Sequence, residues 1–190
     1  MEVKGLGILY TSQLSFASHI SNIVSKAKQR CSYLLRKSFT SSCCTALILA
    51  FKTYDIPILE YCSSVWSPNQ VSDILKIKSV QRSFTRTLMC CKGLSYKDRL
   101  SICGLLTLKR RLLADLVVFY KILHRYILTY LTDSLKFVVG PTRGHPLKIV
   151  YNGARINSCL HFFTVRTTKI WNSLPEYITA PSRSTAFARV

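Results

Sequence analysis

Lys78, Arg82 and Arg86 stand four residues apart in the chain, the step that lines side chains along one side of a helix. Cations in such a row can meet phosphates of a nucleic acid. Lys26, Arg30 and Lys37 flank an earlier helical stretch, and Arg110 and Arg111 lie largely opposite the apolar face of a later one. Residues that could make or break bonds give weaker signals. His19, His124, His145 and His161 have no neighbouring nucleophile and acid in a recognisable motif, so packed or surface imidazoles are expected. Cys90 and Cys91 beside Lys92 can carry a lowered thiol pKa, but no base or pocket is visible to use it. Gly5 to Gly7 is a glycine bend without the lysine and hydroxyl of a phosphate-binding loop. No catalytic residue, metal ligand or cofactor is assigned.

The composition supports the cationic reading. Lys plus Arg total 27 against 8 Asp plus Glu, a formal charge of +19. That is far outside the usual magnitude of about 2 to 8 for a small domain. Self-repulsion of this size disfavours compaction unless anions sit nearby, and nucleic acid is the commonest polyanionic partner. A hydrophobic share of 48% predicts a buried core. The mean hydropathy of +0.20 also leaves room for apolar surface that meets a missing domain. The eight cysteines follow an N-terminus without the regions of a secretory signal. An intracellular chain with reduced thiols, in nucleus or cytoplasm, is expected. No C-x2-C step suggests zinc, so the thiols are expected to be buried as small hydrophobes. Lys52, Asp55, Pro57 and Glu60 interrupt the longest apolar stretch, which argues against a membrane span.

Apolar spacing sets out the elements that carry these residues. VKGLGILY (3 to 10) reads as a short strand with a glycine bend, in need of a partner strand. Phe16, Ile20, Ile23, Val24, Ala27, Cys31, Leu34 and Leu35 share a helical face. A second helix starts near Ser41 or Ser42 and is ended or kinked by Pro57. Ile74, Ile77, Val80, Phe84 and Leu88 make the apolar face opposite the Lys78 row. A short helix over 96–103 and a long one over 107–127 follow, the latter with a local Arg111–Asp115 pair and no catalytic role. Gly140, Pro141, Gly144 and Pro146 mark a linker. LKIVY reads as a short strand, 157–171 as helix, and 182–190 as a last helix. Tyr61, Trp66, Phe84 and Trp171 are expected as core anchors rather than base-stacking platforms.

Specific strings narrow this further. LGILYTSQLSFASHI (6–20), ILEYCSSVWSP (58–68), VQRSFTR (80–86), LSYKDRL (94–100), LKRRLLADLVVFYKI (108–122), TRGH (142–145) and FF…R…WNSLP (162–175) follow one another along the chain. Together they resemble the region downstream of the palm in reverse transcriptases of non-LTR, LINE-type, jockey-like retrotransposons. Thr11, Lys78 and Lys109 stand where that family often carries acids, and each change makes the chain more basic. The resemblance implies a mainly α fold: a palm–thumb junction with a remnant strand over 1–14 and a helical, thumb-like bundle over 15–130. A linker over 131–146 and a loosely packed C-terminal segment with minor β over 147–190 complete it. It also implies a thumb that holds primer and template.

Polymerases of that family need at least two converging aspartates to hold paired magnesium ions. Here Glu2, Asp55, Glu60, Asp73, Asp98, Asp115, Asp133 and Glu176 are isolated in sequence. The expectation is therefore a non-catalytic fragment that binds RNA or DNA through phosphates, without sequence preference, and that once docked on a palm and fingers. Two rivals remain open: a relic without definite function, which should aggregate or melt broadly, and a protein-interaction scaffold, which should keep its partners after nuclease treatment.

Overall fold

The computed structural model describes residues 1–33, 43–105, 109–139, 145–151, 153, 155 and 157–180. The fold is mainly helical and divides into two compact units, Met1–Leu108 and Lys109–Val190. The boundary lies within the stretch expected to be one bundle, well before the expected linker. The reason is packing: the long helix of the second unit buries its apolar face among residues of that unit.

The first unit opens with an antiparallel hairpin, β1 (Glu2–Gly5) and β2 (Ile8–Thr11). The glycine bend thus folds the expected strand back on itself and supplies its own partner. Leu6 and Gly7 both have positive φ, 48° and 83°, as a two-residue turn matched to strand twist requires. Helix α1 (Ala17–Tyr33) buries Ile20, Ile23, Val24, Ala27 and Cys31, the face given by the spacing. Leu34, Leu35 and Lys37 lie outside the described residues. Helix α2 (Cys44–Ala50) runs through a π-helical turn, Phe51–Asp55, into α3 (Ile56–Glu60). Pro57 sits in the first turn of α3, where its missing N–H is tolerated. It therefore does not end the helical course, which changes its winding in the π-helical turn just before it. After α4 (Ser63–Trp66), α5 (Val71–Thr87) packs Ile77, Val80 and Phe84 inward. The Phe84 and Phe51 rings stack at 4.1 Å and 7°. A 3-10 turn, Met89–Cys91, leads to α6 (Tyr96–Ile102), which Ser95 caps by accepting the Asp98 N–H at 3.3 Å.

The π-helical turn places Asp55 in the core, with no solvent exposure and with the Cys31 thiol beside it. Burial pushes its carboxyl up to about 6, against the opposing pull of the Cys31 thiol and the Arg30 charge. Because the folded-state value exceeds the unfolded one, the neutral form stabilises the fold below about pH 4, and that contribution is lost as pH rises through about 6. Asp55→Asn is expected to raise stability at pH 7.5 by up to about 3 kcal/mol and to change little at pH 4. Denaturant titrations at the two pH values measure the difference; an equal effect at both contradicts a buried, ionising carboxyl.

The second unit is built on α7 (Lys109–Leu123). Leu116, Phe119, Tyr120 and Ile122 join Ile149, Phe163 and Trp171 in its core. Helices α8 (Leu131–Ser134), α9 (Asn157–Leu160), α10 (Phe163–Trp171) and α11 (Glu176–Thr179) complete it. Among the described residues of this unit, β structure is limited to a bridge between Phe137 and Ile149. Asn172 extends it: its side chain accepts the Ile149 N–H at 3.0 Å and donates to the Ile149 carbonyl at 2.8 Å. The last helix expected over 182–190 lies outside the described residues.

Candidate nucleic-acid interface

Helix α5 owes its orientation to Ile77, Val80 and Phe84, whose burial turns the opposite side outward. Arg82 and Arg86 are exposed on that side and Lys78 is half-exposed at its edge. The Arg82 guanidinium carbon lies 4.9 Å from the centre of the Tyr96 ring, and that of Arg99 lies 5.8 Å from the same centre. Arg99 also donates to the Leu94 carbonyl at 3.4 Å. One ring of α6 thus steadies two cations from different helices, a contact worth about 0.5–1 kcal/mol each at an exposed site. Burial pushes the Tyr96 phenol up while Arg82 and Arg99 pull the other way. The phenol therefore stays protonated at neutral pH and adds no negative charge beside the cations.

Arg99 was not legible as a site residue, although it stands three residues after Tyr96 on the same short helix. Only the packing of α5 against α6 brings Arg82 to that ring. On α1, Lys26 and Arg30 are exposed, as is Lys28. Lys37 lies outside the described residues, and of Arg110 only the helical backbone is described. Arg111 corrects the expectation: it is buried, at 7% exposure. It lies in register with Asp115, Phe119 and Ile122, at steps of four, four and three, so the helix carries it on its inner face. A buried guanidinium cannot meet a phosphate, and Arg111 leaves the candidate set.

No family model, curated protein or solved structure matches the chain.

The remaining polar groups have structural work. Asp73 pairs with Lys76 at 2.9 Å, Asp98 accepts from Ser95 at 2.6 Å, and Asp115 pairs with Arg166 at 2.9 Å. His19 is buried, accepts the Leu9 N–H at 3.4 Å and stands edge-on to Trp66. Burial and then the Lys26 charge lower its pKa, which keeps it neutral. His145 contacts the Trp171 carbonyl at 3.0 Å and His124 the Thr179 carbonyl at 3.1 Å. Trp66, Phe84 and Trp171 are core anchors, but Tyr61 is 57% exposed. It sits in the turn after α3, and its hydroxyl donates to the Leu6 carbonyl at 3.4 Å.

The thiols also depart from expectation. Cys31, Cys91 and Cys103 are buried, whereas Cys43, Cys62, Cys90 and Cys159 are exposed. Among the described residues, no group of three or more His, Cys, Asp or Glu is placed to hold a metal ion, and no helix is long and apolar enough to cross a membrane.

Proposed function

We propose that the chain is a non-catalytic, reverse transcriptase-like module that holds RNA or DNA by its phosphates. The observation that carries this reading is the outer side of α5, where Arg82 and Arg86 are exposed and Arg82 shares the Tyr96 ring with Arg99. The formal charge of +19 supplies the long-range attraction. Lys78 lies on the same helix, and α1 exposes Lys26 and Arg30 as further cations. Guanidinium forks suit phosphate oxygens, and phosphate contacts position a strand without reading its bases.

The resemblance to the post-palm region of non-LTR retrotransposon reverse transcriptases supports the same reading. There the helices would grip a primer–template, and a palm and fingers domain would be the natural partner. Equilibrium titration with RNA and DNA of scrambled sequence tests the proposal. Affinity is expected to vary little with sequence and to weaken steeply between about 50 and 200 mM salt, as released counterions lose their advantage. Binding that is absent, or indifferent to salt, contradicts it. Primer extension by the purified chain alone contradicts the non-catalytic part.

A further inference from the structure

Sulfurs from separate segments of the first unit form a chain of contacts. Cys44 is half-exposed at the start of α2, and Cys90 is exposed on the 3-10 turn after α5. The Cys90 backbone N–H donates to Cys44 Sγ at 3.4 Å, across 46 residues of chain, which brings the two side chains side by side. Behind them, Cys90 Sγ lies 3.8 Å from Cys91 Sγ, and Cys91 Sγ lies 3.6 Å from Cys103 Sγ. Burial accounts for Cys91 and Cys103 as small hydrophobes. It does not account for Cys44 and Cys90, which adjoin through the Cys90 N–H and the Cys44 sulfur and are open to small oxidants.

We propose that Cys44 and Cys90 are a modification site: a dithiol that closes to a reversible disulfide, tying the start of α2 to the turn that follows the α5 cationic side. The oxidant is a low-molecular-weight disulfide. Cys44 is the attacking group, because the Cys90 thiol and then the Cys90 N–H stabilise its thiolate and lower its pKa. The same hydrogen bond pushes the Cys90 thiol up to about 12, which keeps it protonated until it reacts. The Cys44 thiolate attacks one sulfur of the oxidant and expels a small thiolate, leaving a mixed disulfide. Cys90 then attacks Cys44 Sγ and expels the second small thiolate, which takes up the Cys90 proton. Two protein thiols are oxidised and one small disulfide is reduced to two thiols. Cys90 with Cys91 would close a strained ring between neighbouring residues, and Cys91 with Cys103 is sealed from the oxidant.

The test treats the full chain with glutathione disulfide at neutral pH, alkylates the remaining thiols and maps cross-links by mass spectrometry after tryptic digestion. The expected product is lighter by two hydrogens and joins peptide 38–52 to peptide 87–92. It forms in C43S and C91S and is lost in C44S and C90S. Its melting midpoint rises by several degrees, since the bond closes a long loop of the unfolded chain. A cross-link that survives in C44S or C90S overturns the proposal. So does one that joins the Cys103 peptide in the wild-type chain, or a product in which Cys44 and Cys90 both remain alkylated or carry separate glutathione adducts. The wild-type map decides alone if a variant fails to fold.

Discussion

Reversing Arg82 and Arg86 together to glutamate is expected to weaken nucleic-acid binding by on the order of 100-fold at about 50 mM salt. The plot of log affinity against log salt should also become shallower by about 2, because each lost phosphate contact removes close to one released counterion. Both side chains are exposed and turned away from Ile77, Val80 and Phe84, so the fold should survive. The contact of Arg82 with the Tyr96 ring is the one packing interaction at stake. A paired control separates site from net charge. Lys121 and Lys169 are exposed in the second unit, and K121E with K169E changes the formal charge by the same amount. If that control loses affinity and slope equally, binding follows overall charge and the α5 surface has no special part.

Trp171→Ala is expected to unfold the second unit at temperatures the first unit withstands. Trp171 has no solvent exposure and meets the Phe119, Tyr120 and His145 rings at centroid distances of 5.7, 6.3 and 5.7 Å. Its Nε1–H donates to the Leu147 carbonyl at 2.9 Å, so truncation also strands that acceptor. A buried tryptophan cut to alanine costs about 3–5 kcal/mol, which in a unit of this size lowers the melting midpoint by at least about 12 °C. Hydrogen exchange should show protection lost over 109–180 while α1 and α5 keep theirs. A shift below about 4 °C would mean that Trp171 is not the centre of that core.

Local periodicity made much of this structure legible. The inward faces of α1 and α5 follow from apolar steps of three and four, and the cations opposite them follow from the same geometry. What escaped depends on contacts between distant segments. Arg111 read as a surface cation because it lies largely opposite the leucine-rich face, yet its register with Asp115 and Phe119 puts it inside. Pro57 read as an end or a kink, and the chain meets it in the first turn of a helix, just after a π-helical turn. The unit boundary after Leu108 follows Gly104, but a glycine there marks only a break between helices; the boundary is set by what α7 packs against. Arg99 beside Tyr96 and Arg82, and Cys44 beside Cys90, needed the fold to bring them together.

The central claim is that phosphate charge, rather than base identity, holds the ligand. Binding of a DNA oligonucleotide and of the same sequence with uncharged methylphosphonate linkages tests it most directly. The charged strand should bind, and the neutral strand should lose nearly all affinity and its salt dependence. Equal binding of the two would contradict the account, because the guanidiniums of Arg82, Arg86 and Arg99 would then have no phosphate to meet.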